Sequence, residues 1–328
     1  MAPPTRFGVF VPQGWRMDLV HIEDPIEQYE AMSRAAKEAE RLGLDSIWLY
    51  DHFHTVPQPE IETTFEAWIA TAALARDTQR IRIGQMVSCN GYRSPAYLAK
   101  VASTVDVLSH GRLDFGIGAG WYEHEWLAYG YGFPDAPTRL KMLGEALQII
   151  KAMWTEPYAN FEGKFYQVKG AINEPKGVQK PHPPIWIGGG GEKVTLKLVA
   201  RYGDASNFGG KNVEEFRRKA DILKEHCDTV GRDYDEIVKS ASLDALVLGP
   251  GETARQEELD HAFGSGNGPK LEEYRRGAFV GTGQELIDLC GSMMDAGVQY
   301  FLFYVPGTAY GLERMQRLAE EVVGKLRG

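Results

Sequence analysis

The stretch RIRIGQMVSCNGYRSPAYLAKVASTVDVLSHGRLDFGIGAGW, residues 80–121, contains one complete strand–helix–strand unit. It has an apolar run at 81–87, a segment at 95–109 whose apolar residues recur at helical spacing, and a second apolar run at 112–118. Pro95 stands near the start of the helical segment, where a helix tolerates a missing amide proton. Short apolar runs joined by a helix are typical of parallel strands that are buried on both faces.

The same alternation continues on both sides of this unit, and it gives eight strands, each followed by a helix. Eight such units close into a barrel, so the predicted fold class is α/β, a (β/α)8 TIM barrel with insertions. The predicted strands are 6–12, 46–51, 81–87, 112–118, 184–188, 204–208, 238–249 and 299–305, and the predicted helices are 25–42, 65–78, 95–109, 137–154, 192–203, 213–230, 282–297 and 311–327.

Two segments interrupt the alternation. Residues 155–183 are predicted to form a strand–turn–strand insertion before the fifth strand. Residues 250–281 are polar and rich in glycine, and they are predicted to form a mobile loop or lid. Because no shift in composition marks a boundary, we expect one domain, residues 1–328, within the size that barrels with insertions reach.

Composition narrows the class of protein. Apolar residues make up 43% of the chain and charged residues 25%, which allows a large core and a soluble surface. The net charge of −9 argues against a nucleic-acid-binding protein, and no apolar run is long enough to span a membrane or to form a signal-peptide core. Cys89, Cys227 and Cys290 form neither a disulfide framework nor a CxxC metal site. We expect a reduced, cytoplasmic, acidic globular protein.

The candidate site residues are those that follow the strands, because TIM barrels hold their active sites at the carboxyl ends of the strands. These positions are rich in aromatic residues, histidines and glycines, which indicates a flat aromatic ligand that carries a phosphate. The run Gly188–Gly191 stands between a strand and a helix that begins near Glu192, so its backbone amides could cradle the phosphate. A flexible turn without a ligand is the alternative, but four consecutive glycines at a strand end are hard to explain by turn chemistry alone. The pattern fits neither a P-loop nor a Rossmann fingerprint.

A metal site is an alternative, because His52 and His54 form an HxH motif after the second strand. Such a site needs further ligands at later strand ends. The fourth strand offers His124, but the fifth is followed only by glycines, and we therefore predict no metal. Cys89 lies near the predicted site without a histidine–acid set around it, so a thiolate nucleophile is not predicted.

Four segments resemble a known family, the bacterial luciferase-like superfamily, and particularly its coenzyme F420-dependent oxidoreductases. The resemblance covers nearly the whole chain except 155–180 and 250–278, and its most specific block is IGGGGEKVTLKLVARYGDA, 187–205. The four segments are GLDSIWLYDHF (43–53), the stretch 80–121 quoted above, PPIWIGGGGEKVTLKLVARYGDASN (183–207) and GTGQELIDLCGSMMDAGVQYF (281–301).

The resemblance implies roles for particular residues. Asp51 and His52 match a pair in which the histidine lies near the deazaflavin ring and assists proton or hydride chemistry, while the aspartate contacts the cofactor. Met86 and Val87 match a bulge that in the family contains a cis non-prolyl peptide behind the ring, with Cys89 just beyond. The other implied cofactor-binding residues are Gly120, Trp121 and His124 after the fourth strand, and Gly188, Gly189, Gly190 and Gly191 in the phosphate loop.

The chain departs from the family's sugar-phosphate dehydrogenases. Those enzymes have a glutamate where this chain has Trp121 and a tryptophan where it has Val56, so glucose-6-phosphate is not the expected substrate. Lys211 falls near a phosphate-binding lysine of that subgroup, which alone is weak support. An aromatic mouth suggests a larger apolar or aromatic substrate instead; it consists of Trp15, Tyr92, Trp121, Tyr122 and Trp126.

The resemblance favours an F420-dependent oxidoreductase that transfers a hydride between C5 of the deazaflavin and a small organic molecule, with His52 as the catalytic residue. An FMN-dependent monooxygenase that uses O₂ is the alternative, and a barrel that binds flavin without catalysis is a second one. Reaction direction and substrate identity stay open. The resemblance also implies a homodimer that forms through the helices flanking the second and third strands.

Overall fold

The computed structural model describes residues 4–264 and 268–327. Eight of its strands pair in parallel and close on themselves, which confirms the (β/α)8 TIM barrel; in order around the barrel they are β1, β2, β3, β5, β8, β9, β10 and β12. The strands in chain order are β1 (Arg6–Phe10), β2 (Ser46–Leu49), β3 (Arg82–Gln85), β4 (Ser88–Cys89), β5 (Leu113–Gly118), β6 (Ala159–Glu162), β7 (Gln167–Ala171), β8 (Ile185–Gly188), β9 (Ala205–Gly209), β10 (Val238–Leu248), β11 (Phe279–Thr282) and β12 (Tyr300–Tyr304).

Helices follow the barrel strands at the predicted places, and their starts are set by local chemistry. Asp24 caps the first helix by accepting from the Ile26 amide, and Thr282 with Glu285 forms a capping box at the tenth. Among the described residues, no helix is both long and apolar enough to cross a membrane. The helices are α1 (Pro25–Arg41), α2 (Ala67–Asp77), α3 (Pro95–Leu108), α4 (Glu123–Ala128), α5 (Ala136–Thr155), α6 (Thr195–Tyr202), α7 (Val213–Val230), α8 (Gln256–Phe263), α9 (Leu271–Gly277), α10 (Gly283–Asp295), α11 (Glu313–Arg317) and α12 (Gly324–Arg327), with a π-helical turn, Leu318–Val323, between the last two.

Alternate side chains of the strands pack on opposite faces of the sheet. Phe301 on β12 stacks on Phe7 of β1 in the large cluster beneath the helices. Trp48 and Trp186 belong to a second cluster with Tyr300, and the Trp48 and Trp186 rings meet edge to face at 4.8 Å. Both sets are buried, as expected for the two faces of a closed parallel sheet.

The structure confirms the prediction for the first insertion and contradicts the prediction for the second. Within 155–183, β6 and β7 form an antiparallel hairpin, as predicted. The prediction of a loop for 250–281 is wrong, because this segment contains α8, α9 and β11, and β11 pairs in parallel with β10; residues 265–267 of it lie outside the described residues. The physical reason is burial: Phe263 and Tyr274 each anchor one of these short helices, although the segment around them is polar.

The second insertion covers one side of the barrel mouth. Phe263 stacks on Tyr304 at the end of β12, with ring centroids 5.9 Å apart. Arg16, in the loop after β1, contacts the same tyrosine. Its guanidinium lies 3.9 Å from the Tyr304 ring centroid and donates two hydrogen bonds to Asp244. Phe263, Tyr304 and Arg16 are not among the residues that line the cavity at the carboxyl ends of the strands.

Candidate active site

A cavity of about 330 Å³ lies at the carboxyl ends of the strands, where a TIM barrel holds its site. Nine of the twelve predicted site residues line it: Asp51, His52, Met86, Val87, Cys89, Gly120, Trp121, Gly188 and Gly189. The lining residues that sequence reasoning did not select as site residues are Trp15, Tyr50, Ser88, Tyr92, Gly118, Ala119, Leu140, Thr195 and Asn207.

His52 lies at the wall of this cavity with its side chain only 12% exposed. Its Nδ1 is 2.8 Å from Oε2 of Glu125, a residue of α4 whose side chain is fully buried. Its Nε2 has no hydrogen-bond partner among the residues that the structure describes. One face of the imidazole stacks on Trp15, with centroids 4.3 Å apart and planes 5° from parallel. The ring is therefore held both in its plane and at one of its nitrogens.

Glu125, which was not selected in the sequence analysis, is the partner that holds His52. Besides the contact with His52, it accepts hydrogen bonds from the amides of Phe53 and His54 and from the hydroxyl of Tyr92. Burial alone would raise the pKa of Glu125, but the hydrogen bonds from His52, Tyr92 and the His54 amide outweigh it, and the net shift is downward. Glu125 is therefore an ionised carboxylate within the protein.

The carboxylate of Asp51 is not free, because it is paired with Arg93. The guanidinium of Arg93 donates to both of its oxygens at 2.7 and 3.0 Å, and the Cys89 amide donates to Oδ2 at 2.8 Å. Burial favours the neutral form of Arg93, but Asp51 and Glu66 outweigh it and raise the pKa of Arg93. Contact between Asp51 and a cofactor was implied by the resemblance; Asp51 does line the cavity, but both of its oxygens are already engaged with protein donors.

The peptide bond between Met86 and Val87 is cis, as the resemblance implied. The side chain of Val87 lies against β5 and β8, and two glycines make room for it. A Cβ at Gly118 would lie 2.7 Å from Val87 Cγ2, and a Cβ at Gly188 would lie 2.8 Å from Val87 Cγ1. These two glycines are thus required by the close approach of a protein side chain, and Val87 closes the cavity on that side.

Cys89 contributes packing rather than reactivity. Its thiol is buried near Gly120, whose φ is +79° and where a Cβ would lie 2.5 Å from the sulfur. Burial raises the pKa of Cys89 to about 12, with the charge of Asp51 acting in the same direction. A thiol with this pKa is protonated at neutral pH. Cys89 was accordingly not predicted to act as a thiolate nucleophile.

The rest of the glycine run lies beside the cavity. Gly190 and Gly191 line an adjoining depression that shares Leu140 and Thr195 with the cavity. Among the described residues, the amides of Gly190 and Gly191 have no backbone acceptor. The ammonium group of Lys219 reaches this point, because a Cβ at Gly190 would lie 2.5 Å from its Nζ. Lys219 Nζ also donates to Glu215 Oε1 at 2.6 Å and to the Phe208 carbonyl at 3.3 Å, so its charge is shared with Glu215. The two free amides, with this ammonium group beside them, fit a phosphate group.

Aromatic rings form the outer wall. Trp121 meets His52 edge to face at 5.7 Å and remains 60% exposed, so it is available to contact a ligand. Tyr122 also contacts the His52 ring, at 5.9 Å. Trp126, which the sequence analysis counted in the mouth, is instead buried beneath it against Tyr92.

Three residues considered in the sequence analysis do not line the cavity: His54, His124 and Lys211. His124 does not line it, and its Nδ1 lies 2.9 Å from Nδ1 of His54 at the surface. Lys211 is not free for a ligand phosphate, because its Nζ donates to the carbonyls of Arg275 and Ala278 at the end of α9. Within the described ranges, no group of three or more histidine, cysteine, aspartate or glutamate side chains could hold a metal ion.

Comparison with known proteins gives consistent results. A family model described as luciferase-like monooxygenase matches residues 5–295. The chain is 26% identical over 318 residues to an F420-dependent glucose-6-phosphate dehydrogenase of Amycolatopsis mediterranei, covering 89% of this chain and 93% of that protein. It is 31% identical over 187 residues to the oxygenase component of a flavin-dependent trigonelline monooxygenase of Acinetobacter baylyi, covering 56% of this chain and 48% of that one.

Solved structures share the fold. An F420-dependent secondary alcohol dehydrogenase in complex with an F420–acetone adduct aligns with a TM-score of 0.80 over 99% of this chain and 100% of its own length. The identity between the two is 20%, so this likeness is evidence for the barrel rather than for a shared substrate.

Proposed function

This chain belongs to the luciferase-like monooxygenase family of oxidoreductases, and from that premise we propose that it uses coenzyme F420 to transfer a hydride to or from an organic substrate. The observation that carries the proposal is the junction of the apolar cavity with the free amides of Gly190 and Gly191. A flat ring system that bears a phosphate has both features. The F420-dependent relative aligns over 89% of this chain and the flavin-dependent relative over 56%, which favours F420.

The residues of the chain would divide the work as follows. Gly190, Gly191 and Lys219 would hold the phosphate, and Val87 would back the ring. When bound, F420 supplies a hydride acceptor or donor at its C5 atom. His52 would accept or return the proton at Nε2 that accompanies hydride transfer.

We propose a neutral, apolar or aromatic substrate. Trp15 and Trp121 form part of the apolar wall of the cavity, and they would keep water from the reacting atoms. The carboxylate of Asp51 lines the cavity as well, but it is paired with Arg93 and adds no net charge to the wall. The direction of the reaction is left open by these features.

A cytoplasmic homodimer is part of the proposal. Ile69 on α2 and Tyr97 on α3 are 73% and 60% exposed, and these helices follow the second and third strands. Large apolar residues at such exposure support a contact between copies of the chain. The thiols of Cys89, Cys227 and Cys290 are all unpaired, which fits a reducing compartment.

An FMN-dependent monooxygenase is the second candidate, because of the flavin-dependent relative and the family description. A titration of the purified protein with F420 and with FMN, followed by the fluorescence of each cofactor, separates the two. We expect saturable quenching of F420 at lower protein concentration than of FMN. A clear preference for FMN would overturn the choice of cofactor, and binding of neither would favour a barrel without this catalysis.

A matched pair of variants tests the phosphate-binding role. Lys219→Met should weaken F420 binding about tenfold, since it removes a charge-assisted contact to phosphate worth about 1.5 kcal/mol. Lys224→Met changes an exposed lysine on the same helix and should leave binding unchanged. Equal effects of both variants would mean that the loss reflects overall charge rather than the cradle.

A further inference from the structure

The donors around Glu125 determine where its charge and the neighbouring proton lie. Oε1 accepts from the amides of Phe53 and His54 at 2.7 and 2.8 Å, and backbone amides can only donate. Oε2 contacts the Tyr92 hydroxyl at 2.5 Å and His52 Nδ1 at 2.8 Å. A proton on Oε1 would point at two N–H donors, so Oε1 is an acceptor. With two contacts on each oxygen, the carboxylate has no acceptor position left.

An acceptor at Oε2 requires a donor at Nδ1 of His52, because an ionised carboxylate cannot donate. In the neutral imidazole, Nε2 is then the unprotonated nitrogen, and it belongs to a ring that lines the cavity. We propose that Glu125 is a positioning residue that fixes His52 in the Nδ1–H tautomer and so presents Nε2 to the substrate. This inference rests on the proposed function for the use to which Nε2 is put, but not for the tautomer itself.

Tyr92 and Trp15 complete the arrangement in different ways. The Tyr92 hydroxyl occupies the remaining acceptor position of Oε2, which discourages Glu125 from turning away from His52. Trp15 stacks on the imidazole and holds its plane, so that a half-turn of the ring about Cβ–Cγ, which would put Cδ2 in place of Nδ1 beside Glu125, meets an aromatic face. Tautomer and ring orientation are thus set by separate groups.

Nitrogen NMR of protein labelled with [¹⁵N]histidine reads the tautomer directly, without substrate or cofactor. The signal of His52 is assigned by its loss in His52→Asn. We expect the Nδ1–H form in the wild-type protein. A wild-type His52 in the Nε2–H form, or in an even mixture of the two, would overturn the inference.

Glu125→Gln makes the opposite prediction for the same signal. The amide oxygen of glutamine can keep the hydrogen bonds from Phe53 and His54, which turns its NH₂ group toward Nδ1 of His52. Nδ1 must then accept, and the ring should switch to the Nε2–H form. Retention of the Nδ1–H form in a folded Glu125→Gln protein would contradict the assignment.

Tyr92→Phe is the matched control, because it removes another hydrogen bond of Glu125 and leaves the contact with His52 in place. We expect it to keep the Nδ1–H form, whereas a switch here would mean that packing rather than Glu125 sets the tautomer. Titration of the same samples with F420 separates the two proposals. If the wild-type protein does not bind F420, the proposed cofactor is rejected and the tautomer assignment is unaffected.

Discussion

Gly188→Ala should destabilise the protein because of Val87. An added Cβ would lie 2.8 Å from Cγ1 and 2.9 Å from Cγ2 of that side chain, well inside the ~3.5–4.0 Å at which carbon atoms pack best. Overpacking of this kind costs about 1–3 kcal/mol. Since Val87 also lies against Gly118 and has little room to retreat, we expect the free energy of unfolding to fall by about 2 kcal/mol.

Val87→Ala should relieve the clash. Alone, this change removes two half-buried methyl groups and should lower the free energy of unfolding by about 1 kcal/mol. In the double variant the methyl group of Ala at position 188 occupies the vacated space, so the loss should remain near 1 kcal/mol. The two effects should therefore couple by about 2 kcal/mol, which is well above the deviations seen for independent sites.

Urea unfolding, followed by circular dichroism and tryptophan fluorescence, measures all four corners of this cycle. Gly291→Ala serves as the control, because a Cβ at Gly291 meets nothing within 4 Å and its effect should add to that of Val87→Ala. Additive effects of Gly188→Ala and Val87→Ala, or a neutral Gly188→Ala, would refute the view that these strand-end glycines make room for Val87.

Three further outcomes can be measured on the purified protein. Asp51→Asn should lower the free energy of unfolding by about 3 kcal/mol, because Arg93 would keep only the carboxylate of Glu66; an unchanged urea midpoint would contradict this. The stability that comes from the lowered pKa of Glu125 should be complete above its ordinary value of 4.5 and lost as the pH falls through the native value, so that wild type and Glu125→Gln converge in acid. The Cys89 thiol should resist iodoacetamide near neutral pH until the protein unfolds, which peptide mass spectrometry checks.

The barrel was predictable because its signal is repeated and local. Most barrel strands are short apolar runs, and each is buried along most of its length, so the pattern in the sequence and the packing in the fold agree. The segment 250–281 was not predictable in the same way. Its helices are short, and few of their residues, Phe263 and Tyr274 among them, contact the core, which is too weak a period to recognise among polar neighbours.

The site was predictable at the strand ends and not beyond them. Asp51 and His52 could be selected because they follow a strand directly. Glu125 could not, because it reaches His52 from a short helix that comes 73 residues later in the chain. Lys219 likewise approaches the glycine run from the helix after the next strand. A search for acids just beyond the fourth strand would have found both Glu123 and Glu125, and only the burial of Glu125 in the fold separates the two.

The glycines at the strand ends show where the sequence pattern was an incomplete guide to function. The run that begins at Gly188 suggested a phosphate cradle throughout, but Gly188 and Gly118 are adjacent to Val87. Within this run, the amides of Gly190 and Gly191 are free, and the ammonium group of Lys219 lies beside Gly190. Gly118 and Gly188 therefore serve the packing of the cavity wall, and Gly190 and Gly191 are left for a ligand.

A crystal structure of the protein with F420 would test the central claim most directly. We expect the phosphate on the amides of Gly190 and Gly191 and the deazaflavin ring against Val87, in the cavity that His52 lines. A ring bound elsewhere, or a phosphate that contacts neither glycine while F420 is fully ordered, would contradict the account.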